Sequence, residues 1–131
     1  MRRVLFLAAM VCLAAFTARA QDPVKVDPKH YKLEFENTQV RVLRITYGPH
    51  EKSVMHSHPD SVAVFLTGQR AKFTLPDGKS LEREWKVGDA QWTPAETHLP
   101  ENLSDKQLEL ILVELKAKPT AAKAPAAKKK S

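Results

Sequence analysis

The segment Val54-Met55-His56-Ser57-His58 places two histidines one residue apart in a stretch that is typical of a β-strand. A strand sends alternate side chains to the same face, so both imidazole rings point the same way. Neutral imidazole is a common protein ligand for zinc, iron, copper and nickel, and this pair offers two adjacent coordination positions. A third histidine, His98, lies in a second patterned segment. Together the three histidines predict a metal site.

The rest of the chain is dominated by short strand-like segments separated by turn residues. Tyr31, Leu33 and Phe35 recur at every second position, as in a half-buried strand. The other predicted strands are residues 40–45, 54–58, 62–66, 72–75, 81–85, 90–93 and 108–115. Pro76-Asp77-Gly78 joins two of them as a hairpin. No long segment has helical periodicity, so the sequence predicts an all-β sandwich or barrel.

The N-terminus has the pattern of a secretory signal peptide. Arg2 and Arg3 precede an uncharged apolar run over residues 4–16, and Ala18-Arg19-Ala20 fits a small-x-small cleavage site. The run is shorter than the ~20 apolar residues that a membrane-spanning helix needs. We therefore expect cleavage after residue 20, a secreted or periplasmic protein, and no transmembrane segment in the mature chain. The only cysteine, Cys12, leaves with the peptide, so neither a disulfide nor a thiolate metal ligand is available.

Lysines concentrated at the C-terminus account for the basic net charge. The whole chain has a formal charge of +6, but residues 21–115 carry 12 basic and 15 acidic residues. Residues 116–131 are mainly lysine, alanine and proline, and we expect this tail to be disordered. No basic stripe with interleaved aromatic residues occurs, which argues against specific nucleic-acid binding. The folded domain is therefore predicted to span residues 21–115.

The segments around the histidines resemble the two sequence motifs of the cupin family. The first motif, G-x5-H-x-H-x3/4-E-x6-G, is similar to the segment that contains Gly48, His56, His58 and Gly68. The second, G-x5-P-x-G-x2-H-x3-N, is similar to the segment that contains Gly88, Pro94, His98 and Asn102. The resemblance covers most of residues 29–115 and implies a cupin-type jelly roll, a double-stranded β-helix barrel whose interior holds one metal.

The carboxylate ligand of the family motif is missing from this chain. It would fall at Val62 or Ala63, or at Ser61 when counted from the following glycine, and none of these is acidic. The other departures are two additional residues between Gly48 and His56, Glu96 at a glycine position, and His98 one residue early. The residues that could replace the carboxylate are Asp60, Glu51 and Glu96, with Gln91 as a neutral candidate.

The resemblance implies that His56, His58 and His98 bind one divalent transition metal, either Fe, Ni, Mn, Zn or Cu, with no protein anion. Such a neutral set of ligands leaves the full charge on the ion and favours an anionic, chelating small molecule. Three-histidine cupins include iron and nickel oxygenases, so the implied function is an exported oxygenase or isomerase acting on a small anionic organic substrate. The alternative is a non-catalytic module that binds a small ligand in the same barrel. Pairing of such barrels through their sheets implies a homodimer.

Five further residues are expected to have structural rather than functional roles. His50 lies in a turn and His30 opens the first strand, and we expect both to be on the surface. Trp85 and Trp92 are expected to pack in the core or at its rim rather than to bind substrate. Asn102 is expected to make a structural hydrogen bond.

Overall fold

The computed structural model describes residues 21–118, and all structural statements below concern this range. The predicted signal peptide (residues 1–20) and residues 119–131 of the predicted tail lie outside it. The elements are α1 (Pro23–Val26), β1 (Tyr31–Glu36), β2 (Val40–Tyr47), β3 (His56–His58), β4 (Ser61–Phe65), β5 (Arg70–Thr74), β6 (Ser80–Glu84), β7 (Ala90–Thr93), β8 (Glu96–Asn102) and β9 (Leu108–Leu115).

The strands form two antiparallel sheets that enclose one interior. The first sheet has five strands in the order β1-β2-β9-β4-β7, and the second has four in the order β3-β8-β5-β6. β2 and β9 pair along their full length, from Val40 opposite Leu115 to Tyr47 opposite Leu108. The chain passes back and forth between the sheets, as in a jelly roll. The predicted all-β, cupin-type architecture is therefore confirmed. Within residues 21–118, no helix has the length and hydropathy of a membrane-spanning segment.

The core lies between the two sheets and consists of inward-facing apolar side chains. Its buried members are Tyr31, Leu43, Ile45, Tyr47, Ala63, Phe65, Ala71, Trp85, Leu108 and Leu112. Phe65 of β4 and Trp85, which follows β6, stack with ring centroids 4.3 Å apart and so join one sheet to the other. The burial of Trp85 confirms its predicted core position.

Two hairpins follow from local turn chemistry. Asn37 accepts hydrogen bonds from the amides of Gln39 and Val40 at 2.8 and 2.9 Å, which turns the chain from β1 into β2. Gly78 adopts φ 84° in the predicted turn between β5 and β6, a conformation that glycine reaches at little cost. These turns fix the register of both hairpins.

Three features differ from the sequence prediction. The strand predicted to begin at Val54 begins at His56, and β8 and the short helix α1 were not predicted at all. In β8, Pro100 lacks an amide hydrogen and the residues do not alternate, so the strand has no sequence signature. Helix α1 is too short to show periodicity, although Asp22 caps it and Pro23 occupies its first turn.

Candidate metal centre

The pairing of β3 with β8 brings the three histidines together. His56 lies directly opposite His98 in the register of the two strands, and His58 points the same way as His56 because strand side chains alternate. One ring nitrogen from each of the three lies within 4.8 Å of the others. The Nε2 atoms of His56 and His58 are 3.0 Å apart, and the side chains of both residues are buried. The structure thus places all three predicted ligands around one point.

Each of the three rings has its Nδ1 atom bound by an acceptor. His56 Nδ1 lies 2.8 Å from the carbonyl oxygen of Val54, and His58 Nδ1 lies 2.6 Å from the carboxylate of Glu114. His98 Nδ1 contacts the carboxylate of Glu96. A carbonyl or carboxylate can only accept, so Nδ1 donates in each case and Nε2 is the nitrogen left to face a metal. Such outer acceptors fix the tautomer of metal-binding histidines.

The separation of the two Nε2 atoms fits a shared metal ion. The two Nε2 atoms lie 3.0 Å apart, and an ion placed beside them can be bound by both nitrogens once neither carries a proton. Two nitrogens that each lie about 2.1 Å from one metal, with an angle of about 90° between the bonds, are about 3.0 Å apart. The neutral imidazole donors suit zinc, iron, nickel and copper. The residues present therefore fit a divalent transition metal.

Glu114 connects the centre to the N-terminal segment through buried ion pairs. Its second carboxylate oxygen accepts from Arg41 Nε at 2.6 Å, and Arg41 also donates to Asp22 at 3.0 Å. Burial acts to raise the pKa of Glu114, but the hydrogen bonds from His58 and Arg41 outweigh it and the pKa is lowered. Glu114 is therefore a carboxylate at neutral pH. It fixes the orientation of His58 from outside the ring of ligands.

Burial also controls the charge of the histidines themselves. Burial, followed by the charge of His58, lowers the pKa of His56 from 6.5 to about 3. The pKa of His98 is lowered as well, mainly by burial, although its hydrogen bond to Glu96 acts in the opposite direction. Both rings are therefore neutral at pH 7, as metal ligands must be.

We expect the metal-free protein to lose stability as the pH falls from about 6.5 to 4.5. In this interval the unfolded chain protonates His56, while the folded chain, in which the pKa of His56 is about 3, does not, so acid favours unfolding by about 1.4 kcal/mol per pH unit. The lowered pKa of His98 acts in the same direction. The lowered carboxylate pKa values, such as that of Glu51, act only at lower pH. Denaturant titrations of chelator-treated protein at several pH values measure the slope. A stability that stays constant between pH 7 and 5 would contradict it.

The structure locates the position of the missing carboxylate. Ala63 of β4 faces inward at the expected place, opposite Gln91 of β7, and both residues line the cavity next to the histidines. Ser61 is buried, but its hydroxyl donates to the carbonyl of Pro59 at 2.6 Å. Of the predicted substitutes, only the neutral Gln91 lies on the cavity wall without a bond to a histidine.

The three acidic candidates have other partners. Asp60 accepts from the amide of Ala95 at 2.8 Å, and Glu96 bonds to the outer nitrogen of His98. Glu51 contacts the ammonium of Lys29. This contact, with hydrogen bonds from the Gly48 amide and from His30, lowers the pKa of Glu51 to about 2. Among residues 21–118, no acidic side chain joins the three histidines in a metal-binding group.

The prediction that His30 is a surface residue was wrong. Its side chain is buried, with Nδ1 2.7 Å from Asp27 and Nε2 3.0 Å from Glu51. Its ring stacks on Tyr47 with centroids 4.4 Å apart. Two carboxylates and an aromatic face compensate for its burial, so this histidine belongs to the structural support of the barrel. His50 is exposed as predicted and contacts Asp105.

A cavity with an aromatic wall opens beside the histidines. Its lining includes Tyr31, Tyr47, Phe65, Phe73 and Trp85. Tyr31 and Tyr47 share a hydrogen bond of 2.6 Å between their hydroxyls. Burial raises the pKa of both phenols, which therefore stay neutral. The cavity can hold a small organic molecule next to a metal.

Trp92 does not contribute to this cavity or to the core. It lies on β7 with 55% of its surface exposed, next to the inward-facing Gln91. Alternation of side chains along the strand turns Trp92 outward because Gln91 faces the interior. The prediction of core or rim packing is therefore wrong for Trp92. Asn102 is buried and donates to the carbonyls of Gly48 and Lys106 at 3.0 and 2.7 Å, which confirms its structural hydrogen bonds.

Two residues of the site were not predicted, although the sequence contains a signal for one of them. Arg83 lies between Leu81 and Trp85 in a strand with period 2, and this placement indicates an inward-facing charge. Glu114 stands in the mostly apolar segment 108–115, where an acidic residue marks either an exposed or a paired position. Only the fold shows that it meets His58, 56 residues earlier in the chain.

Comparisons with known proteins agree with the architecture. No protein-family model and no curated protein sequence matches the chain. Among solved structures, it is similar to a cupin domain from Bordetella pertussis Tohama I, with 25% identity, a TM-score of 0.62, and coverage of 66% of this chain and 92% of that one. It also resembles a double-stranded β-helix domain protein from Klebsiella pneumoniae, with 16% identity, a TM-score of 0.52, and coverage of 75% and 90% of the two chains. An RmlC-like cupin family protein from Methanocaldococcus jannaschii shares 19% identity at a TM-score of 0.50, over 68% and 83% of the two chains.

Proposed function

Because this chain has the fold of cupin domains, we propose that it is an exported metal-dependent enzyme, an oxygenase or isomerase, that acts on a small anionic organic substrate. One observation carries the proposal: one ring nitrogen each of His56, His58 and His98 lies within 4.8 Å of the others inside the barrel, and the Nδ1 atom of each ring is held by an acceptor. The aromatic cavity beside them supplies room for the substrate.

The chain's own residues define what the centre can do. When bound, the metal supplies Lewis-acid chemistry and open coordination positions. The three neutral imidazoles leave its positive charge uncompensated, which favours an anionic substrate over a neutral one. The neutral phenols of Tyr31 and Tyr47 hold their protons, and one hydroxyl donates to the other, so at most one of the two protons is available to a ligand in the cavity. The apolar walls limit access of water, which strengthens these electrostatic interactions.

Metal analysis of the purified mature protein tests this proposal. We expect close to one equivalent of a divalent transition metal per chain, or tight uptake of one equivalent after chelator treatment. Oxygen-electrode and product assays over a panel of enolisable and carboxylate-bearing acids would then identify the reaction. A protein that neither contains nor takes up metal would contradict the proposal.

The second candidate is a non-catalytic module that binds a small ligand in the same barrel. The observation that favours it is Ala63, which replaces the expected carboxylate and leaves only Gln91 opposite. Stoichiometric metal, together with ligand binding but without turnover of any compound in the panel, would support this function over the enzyme.

Export is a separate part of the proposal, and it rests on the sequence of residues 1–20. Expression of the full chain in a bacterial host, followed by fractionation and N-terminal sequencing, tests it. We expect a mature protein that begins at Gln21 outside the cytoplasm. A cytoplasmic chain that retains Met1 would contradict export without affecting the metal proposal.

A further inference from the structure

Arg83 occupies an inward-facing position where its strand otherwise presents apolar side chains. It lies on β6 opposite Ala71, which is buried, and between Leu81 and Trp85 on the same face. The neighbouring residues Glu82 and Glu84 point outward and are exposed. Arg83 itself is partly buried and lines the cavity that contains the histidines. Its charge is therefore directed into the proposed substrate site.

Arg83 has no acidic partner among residues 21–118, unlike the other three arginines of this range. Arg41 bonds to Asp22 and Glu114, Arg44 to Glu34 and Glu109, and Arg70 pairs with Glu82. Arg83 forms no ion pair or hydrogen bond with any described residue; its guanidinium carbon lies 5.6 Å from the ring centroid of Phe73. A partly buried guanidinium with all of its donors free suits an anionic group of a ligand.

The ring of Phe73 lies next to both Arg83 and the candidate metal centre. The ring of Phe73 lies 5.1 Å from the ring of His98, so a single aromatic ring separates the guanidinium from the nearest histidine. A small molecule that reaches from the histidines along Phe73 arrives at Arg83. The walls on this path are apolar. The three histidines of the candidate metal centre lie at one end, and the unpaired guanidinium of Arg83 lies at the other.

We propose that Arg83 binds a carboxylate of the ligand, so that the site selects small organic acids with a metal-binding oxygen at one end and a carboxylate at the other. This inference rests on the proposed function only for the end of the ligand that binds the metal. Arginine can hold a carboxylate through two parallel hydrogen bonds, which fixes orientation as well as charge. Arg83 is thus a binding residue that determines specificity for dianionic over monoanionic ligands.

Calorimetric titration of the zinc-loaded mature protein tests this assignment. The probes are malonate, succinate, glutarate and phthalate, each compared with the monocarboxylate of matched size: acetate, propionate, butyrate and benzoate. We expect at least one dicarboxylate to bind at least tenfold more tightly than its matched monocarboxylate. In R83M, which keeps an apolar stem over Phe73 but removes the charge, this preference should disappear while the protein still binds zinc.

The matched control is R70Q, which removes an exposed arginine of the same hairpin. It should keep the dicarboxylate preference of the wild type. The assignment is overturned if R83M keeps the preference, or if no dicarboxylate is preferred by the wild type. Zinc titrations run in parallel separate the two proposals. If zinc does not bind, the metal proposal fails, and dicarboxylate titrations of the metal-free protein then decide the role of Arg83. Weak dicarboxylate binding that R83M abolishes supports this role. No dicarboxylate binding by the metal-free wild type contradicts it.

Discussion

His58→Ala is expected to lower the affinity for zinc by two to three orders of magnitude, and His56→Ala to have an effect of the same size. Structural zinc sites bind with about 10–16 kcal/mol over four ligands, so one ligand contributes about 2.5–4 kcal/mol. Both rings are fixed by outer acceptors on Nδ1, so little reorganisation offsets the loss. Competition titrations against a chromophoric chelator measure the affinities directly.

Thermal unfolding provides an independent measurement of the same effect. A ligand that binds only the folded state stabilises it by about 4 kcal/mol when present at a thousandfold excess over its dissociation constant. Zinc should therefore raise the melting temperature of the wild type and have little effect on either variant. His50→Ala is the matched control because His50 is exposed and contacts only the surface residue Asp105. An unchanged zinc response in His56→Ala would exclude this ring as a ligand.

The parts of the fold with strong local signals could be predicted from the sequence. The alternation in residues 31–47 and the turn at Pro76-Asp77-Gly78 produced two hairpins close to their predicted places. The His56–His58 pair could be placed on one face because strand geometry alone determines this. The position of His98 opposite His56 needed the family resemblance, since 42 residues of chain and several strands separate the two.

The remaining features depend on tertiary contacts. His30 is buried because Asp27, Glu51 and Tyr47 surround it, and no local pattern in the sequence indicates that these residues meet. Trp92 faces outward because of the register between β4 and β7, which a single sequence does not reveal. The predicted signal peptide, the tail beyond residue 118 and the homodimer stay predictions.

Glu114→Gln is expected to destabilise the protein by about 3–5 kcal/mol, the usual cost of removing one partner from a buried ion pair. Glu114 is buried, and the substitution removes its charge while keeping its size. Arg41 then retains only its bond to Asp22, which is more exposed. Urea unfolding of the metal-free protein measures the change in the free energy of unfolding.

The same substitution should weaken zinc binding by about 10–100-fold, which is typical of the loss of an outer hydrogen-bond partner of a ligand histidine. A glutamine can still accept from His58 Nδ1 through its carbonyl oxygen, but it provides no negative charge to increase the basicity of the ring. Metal affinity should therefore fall less than in His58→Ala, and this order separates an outer partner from a direct ligand.

Glu109→Gln is the control for both measurements, because Glu109 lies on the same strand and pairs with Arg44 near the surface. Such exposed pairs contribute about 0–1 kcal/mol, and this one lies away from the histidines. Equal effects of Glu109→Gln and Glu114→Gln on stability would mean that the buried pair has no special energetic role. An unchanged zinc affinity in Glu114→Gln would mean that its bond to His58 does not tune the centre. If instead only Glu114→Gln changes both quantities, one carboxylate couples the stability of the barrel to the orientation of a metal ligand.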